Sequence, residues 1–254
     1  MRKIAAVLLL AVGTMLMLPG PSIAKDEVLR KSMAELDLAY VPPLFYTSVS
    51  APPTLKSMNI YKAVWAQFAA QYYDYRPNDV NWRNYFDSID DAVQRADAIV
   101  REGTNLPAAH NVLEEVRMLM LDLRTRNGFN KIVTDRLTAF HHPMEGIVLS
   151  VKGKTPADID ADLLEHLEDL IDEAWFMYHK IELCPLDPAL WDFTIQQEDA
   201  YYANLANLRG SLENFENALT VGELQAIIQT GVAIKPRFRD LFILFGDFAS
   251  VMAN

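Results

Sequence analysis

Apolar residues recur at intervals of three and four along nearly the whole chain and hardly ever at two. Glycine is scarce, with 10 in 254 residues. That period places apolar side chains on one stripe of a helix and leaves no alternating pattern for strands, so the expected fold is all-α, an antiparallel helical bundle.

The stripes can be followed one by one. A short amphipathic segment spans Glu27 to Ala39. The stretch "YVPPLFYTSVSAPPT" after it holds four prolines and is expected to be an extended connector, because each proline disfavours helix in its predecessor. A first long helix over Thr54 to Tyr75 carries Tyr61, Trp65, Phe68 and Tyr72 on one face. A second, Val80 to Arg101, carries Trp82, Phe86, Ile89, Val93 and Val100 and stops near Gly103. The third runs from Pro107 to Arg126 and closes on cations followed by Asn127 and Gly128, the expected C-terminal chemistry.

A shorter helix from Asn130 is expected to end at His141, since Pro143 pushes His142 out of helical geometry. A fourth long helix starts at Thr155 and Pro156. A further helical region covers Leu190 to Leu219, and the last helix covers Gly222 to Met252 with a kink at Pro236.

An aromatic-rich helix, a proline turn and a tryptophan opening the next helix occur in "WAQFAAQYYDYRPNDVNW" and again in "WFMYHKIELCPLDPALW". Two related helical-hairpin halves would follow, 54–153 and 154–254, within one bundle domain of residues 54–254, preceded by an N-terminal segment and connector over 25–53.

The first 24 residues read as a cleavable signal peptide. Arg2 and Lys3 precede an apolar run from Ile4 to Leu18, a breaker at Pro19 to Pro21, and small residues at Ser22 and Ala24. That run of about 15 residues is short of the roughly 20 that span a bilayer, and no later segment is long and uncharged enough, so no membrane span is expected in the mature chain. The expected destination is periplasmic or secreted. The single cysteine, Cys184, excludes an intrachain disulfide framework and a covalently attached c-type haem, which need two thiols.

Without Arg2 and Lys3 the mature chain has 21 basic and 34 acidic residues, a formal net charge of −13. Nucleic acid is excluded as a partner on that balance, whereas cations and a periplasmic protein partner are compatible with it.

Chemistry is sparsely marked. HExxH, paired Glu-x-x-His, Gly-x-Ser-x-Gly and phosphate-loop patterns are missing, which leaves an enzyme the least supported class. Each of the five histidines has an acid three or four residues on. On a helix that spacing brings two side chains to one face, as a metal site needs, although acid-rich helices give it by chance as well.

His166, flanked by Asp162 and Asp169, reads as a solvated face, and His179 beside Lys180 as a helix-end cation. His110, near the start of the third helix with Glu114 one turn on, is a better candidate on a second, partly buried seam. In "RLTAFHHPMEGIV", His141, His142, Met144 and Glu145 would converge from a turn at Pro143. Nitrogen and carboxylate ligands suit zinc, iron or copper(II), and a thioether favours copper(I).

The expected function is therefore an exported binding protein, either metal-handling through His110, Glu114, His141, His142, Met144 and Glu145, or a partner-binding scaffold whose histidines are helix caps.

Overall fold

In a computed structural model the described residues are 21–253 apart from 77, 130 and 131, with side chains described from Glu27 onward. The expected leader, residues 1–24, falls almost wholly outside them. Among the described residues there are α-helices and no strands: α1 Pro21–Tyr46, α2 Ala51–Tyr72, α3 Val80–Glu102, α4 Leu106–Arg126, α5 Val133–Val151, α6 Ala161–Glu182, α7 Ile195–Val221, α8 Leu224–Phe242 and α9 Phe248–Met252. The all-α bundle is as the periodicity requires. No described helix is long and apolar enough to cross a membrane.

Local chemistry explains most boundaries. Asp79, Asn105, Asp160 and Thr194 cap α3, α4, α6 and α7 by accepting a backbone N–H in the first turn. Gly103 and Gly222, at φ 70° and 76°, end α3 and α7 in the left-handed region that suits a residue without a Cβ. Thr155 and Pro156 open only a single 3-10 turn, and α6 begins five residues later than the expected start, behind the Asp160 cap.

Two expectations about proline are overturned. The supposed connector over Tyr40 to Thr54 is helical at both ends. α1 continues through Pro42 and Pro43 to Tyr46, and Pro52 and Pro53 lie in the first turn of α2, where a missing N–H has no intrahelical partner to lose. Inside α1 the loss is made good elsewhere. Pro42 cannot bond the carbonyl of Leu38, and the N–H of Asp247, just before α9, donates to it at 2.8 Å.

α5 likewise passes straight through Pro143 to Val151. An interior proline costs a helix about 3 kcal/mol. Continuing the helix buries Met144, Ile147, Val148 and Val151 almost completely, each worth about 1.5–3 kcal/mol, so burial wins. Pro236 in α8 is accommodated in the same way. The helix expected from Gly222 to Met252 ends instead at Phe242, and a 3-10 turn over Ile243–Phe245 leads to α9.

Helix pairing is mostly sequential. α1 packs on α2, α2 on α3 and α3 on α4; α5 packs on α6 and α8, and α7 on α6 and α8. The chain thus forms two groups of four, α1–α4 and α5–α8, joined through one continuous core. α5 belongs to the second group by its contacts, although it lies before residue 154. The aromatic residues of α2 and α3 are core: Trp65, Trp82 and Phe86 are buried, and the rings of Phe68 and Phe86 stack at 5.6 Å.

Candidate functional site

α1, α4, α5 and α8 enclose a half-open cavity of about 420 Å³. Leu44 and Phe45 of α1, Val148 of α5, and Val232, Phe238 and Phe242 of α8 give it apolar walls. Polar groups enter from α4 as His110, Glu114 and Arg117, and from α5 as His141 and Lys152. α8 adds Lys235 and Arg239.

His110 is placed by the end of α1. Its Nδ1 lies 3.2 Å from the Leu44 carbonyl and 2.8 Å from the Thr47 hydroxyl. That hydroxyl is itself 2.5 Å from the same carbonyl and donates to it. The carbonyl can only accept, and the Thr47 proton is already committed, so Nδ1 carries hydrogen and donates. The imidazole thereby satisfies one of the orphan carbonyls at the α1 C-terminus. Its Nε2 faces Glu114, whose Oε1 is 3.6 Å away.

Arg117, two turns along α4 from His110, is only 5% exposed. Its guanidinium pairs with Glu114 and stands 5.6 Å over the ring of Phe242. Its Nε is buried and has no hydrogen-bond partner among the described residues.

His141 lies across from α4 on the α5 wall, its ring 5.4 Å from that of Phe238. Burial, reinforced by the positive charges of Arg117 and Lys235, pushes its pKa down to about 2. At neutral pH it is a neutral imidazole able both to donate and to accept. Lys235 is held by both oxygens of Glu145 at 2.8 Å, and Arg239 by Asp240 at 3.0 Å.

Of the six residues expected to bind metal, the fold brings His110, Glu114 and His141 to this one cavity. Glu145 stands behind it, 3.9 Å from His141 Nε2, and is engaged by Lys235. Met144 is fully buried and His142 is exposed, and neither lines the cavity. The turn that was to gather all four does not exist, because the helix continues. For the same reason neither His141 nor His142 caps a helix end. Among the described residues no three His, Cys, Asp or Glu side chains are grouped so as to hold a metal ion.

His166 is exposed, as the sequence suggests, and His179 near the end of α6 pairs with Glu182 at 2.9 Å.

Sequence reading missed the cationic lining. Lys235 and Arg239 stand out in "KPRFRD" as a basic cluster, and Arg117 shares the His110 seam, but nothing local to either segment shows that they converge. It also missed a buried ionic cluster beneath the cavity. There Arg124 of α4 bonds Asp37 of α1 at 3.2 Å and Asp135 of α5 at 2.7 Å, and the Thr134 hydroxyl donates to Asp37 at 2.6 Å. A narrow void lined by Arg117, Arg124 and Phe242 separates this cluster from the cavity.

Compared with known proteins, the chain matches no family model, no curated protein and no solved structure.

Proposed function

We propose that the chain is an exported binding protein that holds a small ligand in the cavity between α1, α4, α5 and α8. The cavity carries this reading: a concave, largely apolar space of about 420 Å³ with a few convergent polar groups has the size and make-up of small-molecule sites. The leader-like first 24 residues support export.

Binding would proceed by displacing water from the apolar walls, while the neutral His141 and the donors on α4 and α8 orient the ligand's polar atoms. The test is thermal unfolding of the mature protein against a panel of small molecules, with Val232→Trp as a variant whose indole obstructs the cavity. A ligand at one hundred times its Kd stabilises by about 2.7 kcal/mol, and that gain should vanish in the variant. No stabilisation by any compound, or gains that survive the obstructed cavity, would overturn the reading and favour docking onto a periplasmic protein partner.

A second reading is a transition metal, copper, zinc or iron, bound through His110 Nε2, Glu114 and His141. It is favoured by one observation, the Nδ1 of His110 donating to a backbone carbonyl, which is how proteins fix a ligating imidazole. Glu114 would have to leave Arg117, and the three side chains would have to draw together, since as they stand they do not form a metal-holding group among the described residues. Calorimetric titration of the metal-stripped protein with Zn(II), Cu(II) and reductant-protected Cu(I) tests it. Submicromolar binding lost in a His110→Ala, His141→Ala variant is the supporting result, and binding unchanged in that variant refutes it.

A further inference from the structure

Resting on the ligand-binding reading above, we propose that the cavity's ligand is a small single-chain organic anion, a carboxylate or phosphate with an apolar body. Its anionic group sits beside His141 between Arg117 and Lys235.

The charges on the wall carry this. The chain as a whole is acidic, with 34 Asp and Glu against 23 Lys and Arg. Yet the cavity is lined by four cations, Arg117, Lys152, Lys235 and Arg239, and one carboxylate, Glu114. Solubility does not call for cations gathered around an apolar hollow. The carboxylates that pair with Lys235 and Arg239, Glu145 and Asp240, are not part of the lining, and of the two only Glu145 also approaches His141, at 3.9 Å from Nε2. Lys152 has no carboxylate within ion-pair distance among the described residues.

Arg117 provides the independent sign of a missing partner. It lines the cavity, is 95% shielded from solvent, and keeps a buried Nε without an acceptor. A buried guanidinium whose donors are only partly satisfied favours an added acceptor or anion close to it. Arg117 and Lys235 come from different helices and flank one part of the wall. Lys235 Nζ is 2.8 Å from the Glu145 carboxylate that lies 3.9 Å from His141 Nε2, and Arg117 stands over Phe242, whose ring stacks at 5.7 Å on that of Phe238 beside His141. An anion placed there gains from both, and its apolar body lies against Phe238, Phe242 and Val148.

The experiment is calorimetric titration of the mature protein with decanoate, decanol and decyltrimethylammonium. These probes share a chain length and differ in head charge. They are run on the wild type, on Lys235→Gln/Arg239→Gln, whose substituted side chains are solvent-exposed, and on Val232→Trp. The expected result is decanoate binding that weakens with salt, falls roughly tenfold or more in the double variant, and is lost when the cavity is obstructed. Decanol should bind more weakly and be indifferent to the double substitution.

If all three probes bind alike and Val232→Trp abolishes them, the charge selectivity is wrong while the binding-protein reading stands. If none binds and no other compound stabilises the protein, both fail. Capture on phosphatidylglycerol vesicles without decanoate binding in solution would also overturn the proposal, by assigning the cations to a lipid surface.

Discussion

Arg124 of α4 donates to the Asp135 carboxylate of α5 at 2.7 Å, and both side chains are 5% exposed or less. This bond ties the last helix of the first four-helix group to the first helix of the second. Asp37 of α1 completes the arrangement on the other side of the guanidinium.

Removing the cation alone strands two buried carboxylates. Arg124→Met is expected to destabilise the fold by about 3–5 kcal/mol. Adding Asp37→Asn and Asp135→Asn to the same variant should recover much of that loss, because no unpaired charge then remains. Urea denaturation of the three proteins measures it, and an Arg124→Met cost below about 1 kcal/mol would show that the cluster is hydrated.

His141 and Asp37 push acid stability in opposite directions. His141 is held at about 2, below its ordinary 6.5, so from 6.5 down to about 2 the unfolded chain binds the extra proton. Its contribution is complete above 6.5 and is lost as pH falls, at about 1.4 kcal/mol per pH unit at most. Burial raises Asp37 above 3.8, so its contribution is present below 3.8 and declines as pH rises through its folded value. Stability curves between pH 4 and 7 should flatten in His141→Gln, and an unchanged slope would mean that the imidazole is solvated.

Gly231 lets α8 lie close on α5. A Cβ there would meet Val151 Cγ2 at 2.8 Å and Phe215 Cε2 at 3.1 Å. Gly231→Ala is expected to cost about 1–3 kcal/mol by overpacking. Gly210, within α7, has nothing within 4 Å of such a Cβ, so Gly210→Ala should stabilise by up to about 1 kcal/mol through helix propensity. Thermal unfolding of the pair should therefore move in opposite directions.

Gly246 plays a similar part where the C-terminal segment meets α1. Its Cβ would lie 2.9 Å from Val41 Cγ1 and 2.6 Å from Phe248, next to the Asp247 amide that donates to Leu38. Gly246→Ala should detach this segment. Hydrogen exchange at Asp247 is then expected to accelerate while amides in α3 keep their protection, and equal exchange in both proteins would refute the docking role.

The helical period and the helix stops at Gly103 and at Asn127 and Gly128 were legible because each depends on neighbours in sequence. The prolines at 42, 43 and 143 misled for the converse reason. Their cost is local, whereas what offsets it is tertiary: the burial of Met144 and Ile147, and an amide some two hundred residues away that takes the Leu38 carbonyl. His110 and Glu114 could be paired from their spacing, and His141 was singled out for the wrong cause, a helix end rather than a place on a helix wall. Arg117, Lys235 and Arg239 were visible only as charges, since their convergence depends on how α4 and α8 are set against α5.

The cavity has α1 and α4 on one side and α5 and α8 on the other, so it lies on the seam between the two four-helix groups. Its volume is set by their alignment and not by either group alone. Substitutions along the α4–α5 contact would therefore reshape that hollow without touching a single lining residue, because the two groups are the jaws between which it is held.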